Sequence, residues 1–283
     1  MPELPEIETI RRGLQKKVVG KKISTIIVNW SKSFIGDPKL LKDKKIITVL
    51  RSGKLLETQT SDDFSLLIHL KMTGQLVFQS GNEKDKIVGG HPQKIYNQPL
   101  PHKHTHVIFN FKDGSKLFFN DLRKFGYIKL IKQKDVKDDS FVKTLAMDAL
   151  ADSFNQKYLN QILKRRPNST IFQTLLDQKV VAGIGNIYDN EALYYCGILP
   201  TRKNKTISKS EQIKLIQKIK EVLKKSITLG GSSDNTYRQI NGKRGNYLNY
   251  AAVYHQKLDP KNHTIMRQKI SGRTVHFCLI CQK

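Results

Sequence analysis

The hydrophobic pattern of this chain changes period part-way along, and that change restricts the fold more than any other feature. From Lys22 to Ile131 the apolar residues fall in short runs: Ile23 to Trp30, Ile46 to Leu50, Phe64 to Leu70, Val107 to Phe111 and Leu117 to Phe119. Gly, Asp, Ser or Pro bounds each run, and Val107, Phe109 and Phe111 alternate as a half-buried strand does. Repeated short strands of this kind predict a sandwich or barrel. The polar stretch from Ser80 to Lys103, with its Gly and Pro residues, reads as a long surface loop. Ahead of the strands, Pro5, Glu6 and Glu8 suit the positive first turn of a helix whose Ile7, Ile10 and Leu14 share one face, with Gly20 as its stop.

Beyond a charged segment, KQKDVKDDS, the spacing becomes helical over Phe154 to Lys164, Ile171 to Gln178, Ile187 to Tyr195 and Ser210 to Ile227. Ser208 and Glu211 have capping-box spacing before the last of these. Gly230 to Gly245 is glycine-rich and polar, hence loop, and the last thirty or so residues return to β-type content. Strands followed by helices predict an α+β chain of two domains.

The 283 residues carry a net charge of +26. Such a surface favours a polyanion, and nucleic acid, an anionic membrane face or a lysine-biased composition would each account for it. No apolar run approaches the ~20 residues of a membrane span. The acidic start is unlike a signal peptide, and Cys196, Cys278 and Cys281 do not make a disulfide scaffold. The expectation is a reducing, cytoplasmic compartment.

Met1 precedes a small residue, so its removal is expected, leaving Pro2 with a free secondary amine. An α-amino group has a pKa of about 7.7–8.0 against about 10.4 for lysine, so roughly a tenth is unprotonated at neutral pH. Such an amine can attack an electrophilic carbon and form an iminium, with Glu3 and Glu6 within reach as acid or base. On those residues alone an ordinary Met-Pro helix start is the plainer reading.

The opening MPELPEIETIRRGL resembles that of bacterial formamidopyrimidine-DNA glycosylases, in which the exposed proline is the nucleophile. Leu4 favours this branch over the related endonuclease VIII enzymes, which usually carry Gly there. The resemblance runs over nearly the whole chain. RSGKLL brings Lys54, similar to the family's hairpin lysine near the lesion, and HLKMTGQL brings Met72, similar to its wedging methionine. FNDLRKFGYI brings Arg123 and Phe125, similar to the arginine and aromatic wedge, and the preceding KHTH includes His104, a DNA contact in the family. A wedge and a donor to the orphaned base recover part of the few kcal/mol that taking a base out of the stack costs. LLDQKVVAGIGNIYDNEALY resembles the helix–two-turns–helix, where Gly183 and Gly185 permit a tight phosphate-holding turn and Asn186 adds a donor. GGSSDNTYRQINGKRGNY resembles the loop that closes over an everted base, and SGRTVHFCLICQK the second half of the zinc finger, with Arg273 as its tip arginine.

This resemblance implies an N-terminal β-sandwich with a leading helix (1–132), a linker (133–150), a helix–two-turns–helix domain with the lesion loop (151–246) and a zinc-finger-like β-hairpin (247–283). It implies a bifunctional glycosylase and abasic-site lyase acting on formamidopyrimidines and 8-oxoguanine in double-stranded DNA, as a bacterial monomer. Pro2, Glu3, Lys54 and Arg273 would be catalytic; Glu6, Met72, His104, Arg123, Phe125 and Asn186 would bind DNA. An endonuclease VIII-like preference for oxidised pyrimidines, or a non-catalytic DNA-binding paralogue, are the alternatives. DNA would lie in a basic cleft lined by Lys54, His104, Arg123, Arg165, Arg166, Lys243 and Arg273.

The chain departs from the family pattern in three places. The first Cys-x-x-Cys pair expected after Val253-Tyr254 is missing, and HQKLDPKNHTIM stands in its place. Cys278 and Cys281 could be joined by His255 and His263 around one structural zinc, or the hairpin could be zincless and held by packing; no organic cofactor is expected. Phe172 occupies a position where lysine is common, so Lys164, Arg165 or Arg166 would have to compensate. Ala149 replaces a usual proline, with no functional effect expected.

Overall fold

The computed structural model describes residues 1–80, 86–90, 98–232 and 245–283. They form two compact units: Met1–Lys143 with Leu229–Asn246, and Thr144–Thr228 with Tyr247–Lys283. The boundary falls inside the stretch 133–150 expected as a linker, just past its charged segment, and the short 3-10 turns of this stretch are Gln133–Asp138 and Val142–Thr144. The stretch Leu229–Asn246 clusters with the first unit, whereas the sequence reading groups it with the helical domain. The reason is local: the Ser232 amide and hydroxyl bond to Glu6 of the leading helix.

The first unit opens on helix α1 (Leu4–Val18), followed by ten strands: β1 (Ile23–Val28), β2 (Phe34–Ile35), β3 (Ile46–Ser52), β4 (Leu55–Thr60), β5 (Phe64–His69), β6 (Gly74–Gln79), β7 (Lys86–Gly90), β8 (Thr105–Phe111), β9 (Lys116–Asp121) and β10 (Tyr127–Lys132). One sheet runs β1-β8-β9-β6-β7 and the other β2-β10-β5-β4-β3. Leu76, Phe78, Phe109 and Phe119 of the first sheet share one core with Val49, Leu56, Leu66 and Ile68 of the second, and Ile7, Ile10 and Leu14 of α1 join it. Period-2 alternation puts Val77, Ile108 and Phe118 on the opposite face, where Leu100 packs on them.

The strand at Lys86–Gly90 lies inside the stretch expected to be loop; it pairs antiparallel with β6, and its polar and glycine content concealed it. Strands β4 and β6 were equally hard to read, because Thr58, Thr60, Gln75 and Gln79 sit buried among their apolar residues. Asn120 Nδ2 donates to Gln75 Oε1 at 2.8 Å, which explains how an amide is tolerated there.

The second unit contains α2 (Gln156–Arg165), α3 (Ile171–Leu176), α4 (Asn186–Cys196), α5 (Lys209–Thr228) and a hairpin of β11 (Met266–Ile270) and β12 (Arg273–Phe277). Helix α5 begins at the expected capping box: Ser208 N–H donates to Glu211 Oε2 at 2.8 Å and Glu211 N–H to Ser208 Oγ at 3.2 Å. No helix among the described residues is long and apolar enough to cross a membrane.

Helix α1 is tied to β3 through Glu8. Its carboxylate accepts from Arg11 Nε and Nη2 at 2.9 Å, Arg12 Nε at 2.8 Å and Arg51 Nε at 3.2 Å. Burial alone would raise its pKa, but the hydrogen bonds from Arg11 and Arg12 and the charges of Arg11 and Arg51 outweigh burial and hold it at about 2. A folded pKa below the unfolded one contributes stability above about pH 4.5, lost as pH falls toward 2. Glu8→Gln should lower unfolding free energy at pH 7 by on the order of 2 kcal/mol and flatten its acid dependence below pH 4.5. Urea denaturation across pH measures both; an unchanged acid limb would contradict this account.

Candidate functional site

Pro2 is buried just ahead of α1, with Glu3 at the N-cap and only 5% exposed. Glu6, 1% exposed, sits three residues on and uses both oxygens. Its Oε2 accepts from the Glu3 amide at 2.8 Å, and its Oε1 accepts from the Ser232 amide at 2.7 Å and hydroxyl at 3.0 Å. The helix start and the stem of the 229–246 segment therefore share one carboxylate. Gly231 and Gly245 let that stem close, since a Cβ on Gly245 would lie 2.3 Å from the Gly231 carbonyl oxygen. Residues 233–244, with the expected Lys243, lie outside the described residues.

Lys54 lies in the β3–β4 turn, where Gly53 has φ +56° and its carbonyl accepts from Arg51 Nη1 at 2.9 Å. The lysine is 5% exposed, and its charge helps keep His69 neutral. Burial of the ring, with the charges of Lys71 and Lys54, pushes the His69 pKa down to about 3, and Nδ1 accepts from the Lys71 amide at 2.9 Å.

The expected wedge residues meet on the surface of this unit. Met72 is 42% and Phe125 56% exposed. The guanidinium of Arg123 lies 5.0 Å from the Phe125 ring centroid and donates from Nη1 to Met72 Sδ at 3.1 Å. Their turn is held from beneath by Asp121, which sequence reasoning missed. Its carboxylate accepts from the Thr73 hydroxyl, from the Arg123 amide at 3.1 Å and from the Gly126 amide at 2.6 Å. His104 is anchored to the same residue, its carbonyl accepting from the Asp121 amide at 3.0 Å. Burial and the Lys103 charge lower the His104 pKa.

In the second unit, Gly183 with φ +108° and Gly185 at the N-cap shape the turn before α4. Gln178 organises it, accepting from the Gly183 amide at 2.9 Å and donating to the Ile184 carbonyl at 2.8 Å. Asn186 Nδ2 donates to the Thr274 carbonyl at 3.0 Å, which sets it beside the strand residue that follows Arg273. Asn190 Oδ1 accepts from the His276 amide at 2.5 Å, so α4 grips β12 twice. Arg273 is exposed where the two-residue turn Ser271 (φ +47°) and Gly272 (φ +74°) delivers the chain into β12.

The residues able to hold a metal differ from the expected set. Asp259, His263, Cys278 and Cys281 place one ligand atom each within 4.8 Å of one another. His255 is not among them: its ring stacks on Tyr254 at 4.4 Å and lies 5.3 Å from His276. Asp259 takes its place because the DPKNH turn folds back on that residue, whose Oδ1 accepts from the Lys261 and His263 amides at 2.8 and 2.9 Å. His263 Nδ1 and Cys281 Sγ each lie 3.2 Å from Asp259 Oδ2, and 3.3 Å from each other. A tetrahedral zinc with bonds near 2.1 Å separates its ligand atoms by roughly 3.4 Å, so this donor set fits such an ion.

The chain entering this region hangs on Glu191, which is fully buried in α4. Its carboxylate accepts from the Ala252, Val253 and Tyr254 amides at 2.7, 2.9 and 2.8 Å. Burial pushes its pKa up against those hydrogen bonds. Glu191→Ala should cost about 3–5 kcal/mol, because it strands those buried amides. Denaturant unfolding would measure it, and a wild-type midpoint would refute the role.

Residues 1–128 match the formamidopyrimidine-DNA glycosylase N-terminal domain, and residues 145–238 match the formamidopyrimidine-DNA glycosylase H2TH domain. Formamidopyrimidine-DNA glycosylase of Pelotomaculum thermopropionicum is 36% identical over 292 residues, covering 100% of this chain and 99% of the relative. That of Shouchella clausii is 36% identical over 293 residues, with the same coverage. A Lactococcus lactis FPG mutant complexed with Fapy-dG-containing DNA aligns with a TM-score of 0.86 and 32% identity over 100% of both chains. The wild-type L. lactis protein complexed with DNA containing an oxidised pyrimidine aligns at 0.85 and 31%, again over both whole chains. With this agreement over its full length, the chain belongs to the formamidopyrimidine-DNA glycosylase family.

Proposed function

We propose that this chain excises oxidised purines, formamidopyrimidines and 8-oxoguanine, from double-stranded DNA and then cleaves the strand. The observation that carries the reading is the Pro2-Glu3 start held at the head of α1 by Glu6. With Met1 removed, the positive end of the helix disfavours protonation of the Pro2 amine and so enriches its nucleophilic form. The amine attacks C1′ of the everted nucleotide, and the glycosidic bond breaks with its electron pair leaving on the base, which takes up a proton. Glu3 gives a proton to the sugar ring oxygen as the ring opens, leaving a Pro2–C1′ iminium. The iminium acidifies the C2′ hydrogen, so its removal expels the 3′ phosphate, and a second elimination expels the 5′ phosphate. Lys54 and Arg273 stabilise the departing phosphates. Met72, Arg123 and Phe125 fill the space the nucleotide leaves, which their mutual contacts and exposure support. His104 and Asn186 hold backbone phosphates. The enzyme works as a cytoplasmic monomer.

Borohydride should trap a covalent protein–DNA adduct through residue 2 on a duplex carrying 8-oxoguanine opposite cytosine. Undiminished trapping by Pro2→Gly would rule out the nucleophile. Glu3→Gln should lose excision by about 100-fold or more while retaining duplex binding. The L. lactis structure with an oxidised pyrimidine makes a thymine glycol duplex the informative competitor; faster excision of that base would shift the reading to oxidised pyrimidines.

We also propose that Asp259, His263, Cys278 and Cys281 hold one structural zinc, which when bound cross-links the loop before β11 to the chain after β12. Metal analysis of purified protein should find one zinc per chain. Asp259→Ala and Cys281→Ala should lose it and lower Tm, whereas His255→Ala should keep it. Retention of zinc by Asp259→Ala would refute the carboxylate ligand.

A further inference from the structure

The second unit contains a cavity of about 410 Å³ whose polar wall is formed by Arg166, Ser169, Gln173, Asp177, Ser271 and Arg273. We propose that it is a phosphate subsite in which Arg166 acts together with Arg273 on the DNA backbone. The proposal rests on the reading that this chain binds damaged duplex DNA, and it singles out Arg166 from the three basic residues that the sequence left as alternatives.

With Thr174, the wall carries two guanidinium groups, three hydroxyls, one side-chain amide and one carboxylate, so its charge balance is positive. Arg166 is fixed at its backbone: it follows α2, its amide donates to the Leu163 carbonyl at 3.2 Å, and its own carbonyl accepts from Asn204 Nδ2 at 2.7 Å. Its side chain is 40% exposed and gives Nη1 to Asp177 Oδ2 at 2.6 Å. Asp177 is itself held, its Oδ1 accepting from the Lys179 amide at 2.9 Å. The carboxylate thus competes for one nitrogen of the guanidinium and leaves the rest of its donor fork for an anion.

Gln173 sets the other arginine. Its Nε2 donates to Ser271 Oγ at 2.6 Å, clasping the turn that presents Arg273 to the start of α3. Its Oε1 accepts from the Thr170 amide at 3.1 Å and completes that helix's cap. Phe172 on the same helix is fully buried in the core, so it offers nothing to a phosphate, and Arg166 supplies the cation on this side of the cavity. Of the three basic residues weighed as replacements, Lys164 and Arg165 are exposed and do not line it.

The test is equilibrium binding of a duplex containing a tetrahydrofuran abasic analogue, measured over a range of salt. Arg166→Gln should weaken binding about 10-fold and reduce the slope of log K against log salt by about 0.9, as loss of one phosphate contact does. Asp177→Asn should do the reverse and tighten binding several-fold, because it releases Arg166 from its internal partner. An arginine that served only to pair with Asp177 would give both variants a lower Tm and no gain in affinity for Asp177→Asn. Wild-type affinity and slope in Arg166→Gln, or weakening in Asp177→Asn, would overturn the subsite. Arg273→Gln separates the two levels: if it weakens binding while Arg166→Gln does not, only the subsite fails. If the wild-type protein itself shows no salt-dependent binding of this duplex, the functional reading fails with it.

Discussion

The Glu6 carboxylate is the constraint on which the first unit's chemistry depends. It is almost wholly buried and bonds on one side to the amide of the residue after Pro2, on the other to both polar groups of Ser232. A buried carboxyl group is tolerated only when its oxygens are hydrogen-bonded, so withdrawal of either partner would leave a buried polar atom unsatisfied. The sandwich supports this arrangement from below. Ile7, Ile10 and Leu14 seat α1 in the shared core, and Glu8 fastens the next turn to β3 through Arg51. The start of the chain, ordinarily the loosest part of a domain, is thereby fixed on the buried core of the sandwich.

The second unit solves a related problem with buried and half-buried polar side chains aimed at backbone. Glu191 gathers consecutive amides from the chain approaching the hairpin, while Asn186 and Asn190 bind β12. A two-stranded hairpin is marginal by itself. Here its position follows from α4, the same helix whose N-terminus carries the glycine turn. The glycine turn and the strand β12 are therefore linked through one helix, with Gln173 of α3 adding a second hold on the turn before Arg273.

Much of this was legible in the sequence, for identifiable reasons. The change of hydrophobic period located the sandwich and the helices, and the capping signals placed α1 and α5 within a residue or two. Met72, Arg123 and Phe125 could be grouped by motif, and they lie in mutual contact. What stayed hidden has a common cause: it depends on polar residues whose partners are distant along the chain. Strands β4 and β6 carry buried Thr and Gln, and Asp121, Gln178 and Glu191 act on amides that no local pattern marks. The part of Asp259 in the possible metal-holding group stayed hidden for the same reason. Histidine is the more conspicuous ligand type, so His255 was expected, and only the tight turn after Asp259 shows that a carboxylate faces His263 and the thiols.

The make-up of this group of side chains bears on how the hairpin tolerates oxidants, the agents by which damaged bases arise. A cluster of four thiols can form disulfides in three pairings, two of them linking its separate halves. Here carboxylate and imidazole occupy one half, so Cys278 and Cys281 are the only thiols in the cluster. Cys196 is buried elsewhere, its thiol pushed up to about 12 by burial and so poorly reactive. Oxidation of the cluster can close one short ring, between residues separated by two others in the chain. Such a product leaves the Asp259 turn unscrambled, and reduction of a single bond restores the starting arrangement.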